Sequence, residues 1–289
     1  MNSLKLESPA KINLCLYVLG KRRDGYHDLI TLLQRISLAD RITFRKIKKG
    51  IIIRCSDSII PTDSRNLIHK AYDLLKTRIG FRGGVEVYLE KQIPAASGLG
   101  GGSSDAASSL LALDRLFRLG LRRDELVSLG KKIGADVPFF LLEISQALGK
   151  NRGDELTPII FSTKLSLCLT FLPSGLSTKS VYQRHKSTRK SLLLTKLTCD
   201  ATMLSAFLAS RDLSGASVLL RNDLLRPAVQ IKPAIGRVLS FLSRFQPASM
   251  MSGSGPTLFT LASDRREAIA VAKRIRAKFG LASWVGSTC

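Results

Sequence analysis

Residues 94–104 read Pro94, Ala95, Ala96, Ser97, Gly98, Leu99, Gly100, Gly101, Gly102, Ser103 and Ser104, a run of glycines and small residues between two segments of regular pattern. Glycine lets backbone N–H groups approach an anion closely, and a helix that starts at the end of such a run adds its positive end. The chemistry suggested is phosphate binding. Two common phosphate patterns do not fit. A Gly-x4-Gly-Lys-Ser/Thr loop needs a lysine inside the loop, and here the nearest one, Lys91, precedes it. The dinucleotide spacing G-x-G-x-x-G fails because Gly98 and Gly100 are followed at the third position by Ser103. Four further stretches carry polar residues able to do chemistry: "SPAKINL" with Lys11 and Asn13, "DGYHDL" with Tyr26 and His27, "GADVPFF" with Asp136, and "MSGSGPTLF" with Gly253, Ser254 and Gly255.

The elements that must position these residues follow from periodicity. "GGVEVYLEKQI" (83–93) alternates as a strand, with Val85, Val87, Leu89 and Ile93 on one side. "SSDAASSLLALDRLFRL" (103–119) places Ala106, Leu110, Leu113 and Phe117 in helical register, with Ser103 or Ser104 suited to the N-cap and Asp105 to the first turn. The glycine run therefore lies between a strand and a helix start, the context of an anion cradle more than of a linker. Residues 4–19 read as a strand broken at Pro9, 40–55 as two strands joined at Gly50, 65–78 and 123–134 as helices, and 165–173 as a buried strand. A helical tract covers 201–245 with interruptions near Gly215 and Pro227, followed by a strand–glycine turn–strand unit at 248–263 and an amphipathic helix at 264–279. "KNRGDELTP" (150–158) breaks the pattern and suggests a boundary. The expected class is α+β, with one domain over 1–155 and a second over 156–289.

Composition narrows the function. The chain has 289 residues, 45% of them hydrophobic, and no apolar run of the eighteen or more that a spanning helix requires. "LCLYVL" near the N-terminus is too short and wrongly flanked for a signal peptide, so a cytoplasmic protein is expected. Five scattered cysteines without a C-x-x-C pair, and three histidines, offer neither a disulfide framework nor a zinc site. The net charge of +23 would suit a polyanion. Its basic clusters (21–23, 45–49, 184–190, 273–278) are spread along the chain without interleaved aromatics, which fits a cationic surface drawing in anionic small substrates better than nucleic-acid binding.

Taken together, the loop 94–104, the N-terminal "PAKINL" and "MSGSGP" resemble the three motifs of the GHMP kinase superfamily, whose loop has the form P-x-x-x-G-L-G-x-x-S-S. The resemblance implies a two-domain architecture, ribosomal-S5-like then ferredoxin-like, with the site in the cleft between them and the loop wrapping the phosphates of ATP. It places a catalytic pair on Lys11 and Asp136. A carboxylate that receives the hydroxyl proton and a lysine that polarises the attacking oxygen suit phosphoryl transfer. Without the resemblance, an exposed Lys and an Asp opening the turn before Pro138 would serve as well. "DGYHDL" departs from the galactokinase and mevalonate kinase openings and is similar to the branch acting on a cytidyl diphosphate substrate. That branch implies base contacts at Asn13, Tyr26, His27, Thr178 and Tyr182, the last a tyrosine where phenylalanine is expected. Asn66 corresponds to a residue near the adenine, or equally to a helix N-terminal residue. Asp105 stands where related chains often carry Asn or a small residue. Mg²⁺ is implied as a cofactor beside ATP, with its ligands unassigned. The implied partner is a small molecule, with no membrane or nucleic acid, and the chain is a monomer or homodimer. Rival readings are a homoserine- or mevalonate-type kinase and a basic nucleic-acid-binding module.

Overall fold

A computed structural model describes residues 2–185 and 194–289, and its chain clusters into two compact units. The first gathers Met1–Ala10, Leu38–Ala95 and Gly100–Ile144; the second gathers Lys11–Ser37, Ala96–Leu99 and Ser145–Cys289. Two long strands, β1 (Ser3–Lys21) and β2 (His27–Ile47), contribute to both. The expected break at Pro9 does not occur, because proline's fixed φ already lies in the extended range.

In the first unit, β2 is followed by β3 (Ile51–Cys55), α1 (Leu67–Ile79) and β4 (Gly84–Glu90). Although β2 and β3 are adjacent in sequence around Gly50, β4 lies between them, antiparallel to β2 over Arg41–Ile47 and parallel to β3. Val85, Val87 and Leu89 of β4 are all buried, as their alternation requires. Three helices follow: α2 (Gly101–Phe117), α3 (Arg123–Ile133) and α4 (Val137–Leu141). α2 packs with α1, α3 and α4. It is buried continuously from Ser104 to Leu110, which explains its Ala- and Ser-rich start: only small side chains fit a helix surrounded by neighbours.

The second unit holds a hairpin of β5 (Gln146–Lys150) and β6 (Glu155–Ile159), β5 also pairing with β2. The Gly- and Pro-containing stretch at 150–158 is thus a hairpin turn and an edge strand. Pro158 is tolerated because β6 pairs with β5 alone. Then come β7 (Ser166–Thr170), α5 (Thr178–Arg184), α6 (Leu194–Ala209), α7 (Leu213–Leu219), β8 (Arg221–Asn222), α8 (Leu225–Ile231) and α9 (Ala234–Ser243). The chain closes with β9 (Ser249–Met251), β10 (Leu258–Ala262), α10 (Arg265–Phe279) and β11 (Ser283–Ser287). The order β11-β7-β10-β9 forms an antiparallel sheet. Val238 and Leu242 of α9 and Val271 and Ile275 of α10 share one core with its Cys168, Leu258 and Ala262. This is the α/β sandwich expected for the C-terminal half. The five cysteines form no disulfide, and among the described residues no helix is long and apolar enough to cross a membrane. Residues 186–190 of the basic cluster at 184–190 lie outside the described residues.

Candidate active site

The second unit builds one polar cluster around a single carbonyl. Lys11 and Asn13 lie two residues apart on β1, hence on the same face, and both are buried. The Lys11 ammonium donates to Asn13 Oδ1 at 2.6 Å and to the Gly98 carbonyl at 3.3 Å, while the Lys11 amide donates to the Leu99 carbonyl at 2.9 Å. Asn13 Nδ2 donates to Thr31 Oγ1 at 2.8 Å, whose hydroxyl passes on to the Cys15 carbonyl at 2.7 Å. This chain fixes the Asn13 amide with its oxygen toward the lysine.

The turn between β9 and β10 docks onto the same loop. Ser252 Oγ donates to the Gly98 carbonyl at 2.9 Å and accepts from the Asn13 backbone N–H at 3.3 Å, and the Thr257 backbone N–H donates to the Ser97 carbonyl at 3.3 Å. Asn222 secures the turn from below, donating to the Met251 and Gly253 carbonyls, both at 2.8 Å. Gly98 has φ +80°, and a Cβ there would fall far inside contact distance of the Ser252 carbonyl oxygen. Glycine is therefore required at this point. The expectation that Gly253, Ser254 and Gly255 pack against the loop agrees with these contacts. Ser252, Thr31 and Asn222 escaped the sequence reading. Ser252 stood inside a quoted motif, whereas nothing local marks Asn222, whose partners lie 29 and 31 residues away.

The loop's far end belongs to the first unit. α2 begins at Gly101, after an N-cap at Gly100 with φ 74° and no side-chain cap bond. The expected start at Ser103 or Ser104 is thus late by about a turn, because Gly100 supplies the left-handed residue that lets the helix open within the glycine run. The first N–H groups of α2 have no capping side chain and present the helix's positive end. A Cβ on Gly101 would press on Ile93 Cγ2 at 2.9 Å and Lys91 Nζ at 3.3 Å, whereas one on Gly102 would meet only Leu67 Cδ1 at 3.7 Å. Asp105 does not serve the helix terminus. It is buried beside Lys91, its Oδ2 accepting from Nζ at 3.1 Å, and Lys91 also donates to Asp40. Burial pushes the Asp105 carboxyl up to about 7; the Lys91 charge opposes this and the Asp40 charge adds to it.

Two other first-unit residues have defined settings. Asn66 caps α1, with Oδ1 accepting from the Ile68 amide at 2.9 Å and Nδ2 donating to the Pro61 carbonyl at 2.7 Å. Asp136 occupies the N-cap position of α4 without a side-chain cap bond, so its carboxylate is not committed to capping that helix.

In the second unit His27 and Tyr182 face each other, ring centroids 5.0 Å apart at 35°. Burial, with His185 and Lys21 adding positive charge, holds His27 below the usual histidine range. A neutral imidazole offers one donor and one acceptor, as recognition of a base edge requires. Thr178 Oγ1 lies 2.9 Å from Ser254 Oγ and ties the start of α5 to the glycine turn. Tyr26 is half-exposed, with the Arg152 guanidinium over its ring at 4.9 Å.

Comparisons with known proteins show what the whole chain is similar to. Residues 66–143 match the GHMP kinases N terminal domain and residues 203–281 the GHMP kinases C terminal model. A 4-diphosphocytidyl-2-C-methyl-D-erythritol kinase of Shouchella clausii (strain KSM-K16) is 40% identical over 256 residues, covering 88% of this chain and 84% of that protein. One of Gloeobacter violaceus is 38% identical, covering 100% of this chain and 95% of its own. A crystal structure of 4-(cytidine 5'-diphospho)-2C-methyl-D-erythritol kinase superposes with a TM-score of 0.80 at 32% identity, covering 99% of both chains.

Proposed function

The chain belongs to the 4-diphosphocytidyl-2-C-methyl-D-erythritol kinase family of the GHMP kinases, and from that membership we propose how its own residues carry the reaction. The enzyme transfers a phosphoryl group from ATP to the 2-hydroxyl of 4-diphosphocytidyl-2-C-methyl-D-erythritol, a step of non-mevalonate isoprenoid biosynthesis. The observation that carries this reading is 38% identity to a relative of that name along the whole chain.

Residues 94–104 would hold the ATP phosphates, and Asn66 would lie near the adenine. The fit rests on the uncapped N-terminus of α2 and on the room beside Gly102. Among the described residues no cluster of three or more His, Cys, Asp or Glu side chains could hold a metal ion. Mg²⁺ would ride on the nucleotide's phosphates and water, where it would supply charge neutralisation. Asp136 accepts the proton of the attacking hydroxyl. Lys11, oriented by Asn13 and the Gly98 carbonyl, polarises that oxygen and offsets the developing negative charge. His27 and Tyr182 bind the cytosine, one by its edge and one by stacking, with Tyr26, Thr178 and Asn13 completing the substrate contacts. A division near residue 155 would leave Lys11, the ATP loop and Asp136 before it and Thr178 and Tyr182 after it, with Asn13, Tyr26 and His27 also on the N-terminal side. The enzyme acts in the cytoplasm as a monomer or homodimer, without nucleic acid.

ATP turnover with and without the cytidyl group on the acceptor tests this. Binding energy from that remote group is needed to place the hydroxyl, so 2-C-methylerythritol phosphate should be a far poorer substrate. Equal kcat/KM for the two would return the chain to the wider GHMP kinases.

A further inference from the structure

A buried ion cluster lies at the base of the glycine loop. Lys91, one residue past the end of β4, donates to Asp40 on β2 and, at 3.1 Å, to Asp105 on α2; the three side chains are 7%, 0% and 4% exposed. Asp40 Oδ1 also accepts the Gln92 and Ile93 amides at 2.6 and 2.8 Å, which pins the chain as it leaves β4. The loop begins at Pro94 and α2 opens at Gly101, so the cluster touches the chain on both sides of the loop. Gly101 lies against it as well, its Cβ direction pointing at Ile93 and the Lys91 ammonium. One cation between two buried carboxylates is a costly arrangement in a helix otherwise lined with Ala, Ser and Leu. Asp105 Oδ1 has no hydrogen-bond donor of its own, so the side chain's ties are to the Lys91 ammonium and the neighbouring Asp40 carboxyl.

We propose that Lys91, through Asp40 and Asp105, is a positioning residue for ATP: the cluster staples the strand that enters the phosphate loop to the helix that leaves it and pre-sets the spacing of the loop amides. The inference rests on the loop's being the ATP loop. Asp40 fixes the entry through backbone amides, and Asp105 fixes the exit through a side chain on the second turn of α2. Cutting the Asp105 arm frees the exit while leaving the entry intact.

The test is calorimetric titration of the full-length protein with ATP and, separately, with the cytidyl substrate. Asp105→Ser is too short to reach Lys91 and should raise the Kd for ATP about tenfold, on the scale of one charge-assisted hydrogen bond. The Kd for the cytidyl substrate should stay within about twofold, well under that energy. Asp105→Asn keeps an acceptor for the Lys91 ammonium and should recover most of the ATP affinity. If Asp105→Ser does not fold, Lys91→Met combined with Asp105→Asn takes its place, because Asp40 keeps its two amide donors there. ATP affinity equal to wild type in the cut variant overturns the proposal, as does equal weakening of both ligands. Absence of ATP binding to the wild type would instead remove the loop assignment beneath it.

Discussion

Gly98→Ala isolates the junction between the glycine loop and the β9–β10 turn. The backbone at Gly98 sits at φ +80°, where an L-residue loses about 1–2 kcal/mol relative to glycine. The new methyl would overlap the Ser252 carbonyl oxygen and press on Gly255 N at 3.0 Å and Gly255 O at 3.2 Å. These are backbone atoms held in their own hydrogen bonds, the Gly255 amide donating to Ser252 at 2.9 Å, so relief requires moving the turn as a whole. Overpacking of this kind costs about 1–3 kcal/mol. The sum, about 2–5 kcal/mol, corresponds to a fall in Tm of about 4–20 °C for a chain of this size. Gly102→Ala is the control. Its Cβ meets only Leu67 Cδ1 at 3.7 Å within a helix, where alanine is favoured over glycine by up to about 1 kcal/mol, so its Tm should hold or rise. Thermal melts by circular dichroism decide the matter. A Gly98→Ala protein that melts with the wild type, or a Gly102→Ala protein that falls equally, refutes the argument from close approach.

Asp136→Asn should lower kcat by about 10²–10⁴-fold, the range for a positioned acid–base group, with little change in ATP affinity; wild-type turnover would take Asp136 out of the mechanism. Tyr182→Ala removes the ring facing His27 and should raise KM for the cytidyl substrate about 5- to 150-fold, from 1–3 kcal/mol per stacked base, leaving KM for ATP near its original value; the reverse pattern would move the base elsewhere. The last expectation concerns pH. The folded pKa of Asp105, about 7, lies above the ordinary carboxyl value, so the folded state holds a proton that the unfolded chain has released. The stability this confers is complete below about pH 4 and is lost as pH rises through about 7. Tm measured relative to Asp105→Asn should therefore decline between about pH 5 and pH 8; a constant difference across that window would contradict it.

Much of this was legible in the sequence because local patterns sufficed. The helix read over 65–78 became α1, and the alternation at 85, 87 and 89 became β4. The glycine-separated strands at 248–263 became β9 and β10. Lys11, Gly98 and the SGSGP turn were recognised as motifs, and the structure joins them through one carbonyl. What the sequence hid is non-local. β1 runs unbroken through Pro9, and β2 begins well before its expected start at residue 40 because β5, more than a hundred residues on, pairs with it over Thr31–Gln34. The hairpin at 146–159 was masked by Gly153 and Pro158, residues that usually mark breaks but here sit in a turn and on an edge. Asp105 looked like a first-turn acid because its real partners, Lys91 and Asp40, lie 14 and 65 residues earlier. A buried charge is satisfied in three dimensions and leaves little trace in a helical pattern.

The bond from the Asn13 backbone N–H to Ser252 Oγ links positions 239 residues apart, and the Ser252 bond to the Gly98 carbonyl links positions 154 apart. A ribosome adding about 5–20 residues per second needs about 12–48 s to travel from the first of these to the last. For about 8–31 s of that interval a nascent chain carries both Lys11 and the glycine loop without the turn that fixes them. Closing so long a loop loses chain entropy that only the finished C-terminal sheet can offset. The loop should thus acquire its final conformation among the last events of synthesis, and an N-terminal fragment ending before residue 249 should not bind nucleotide, however well its own helices form.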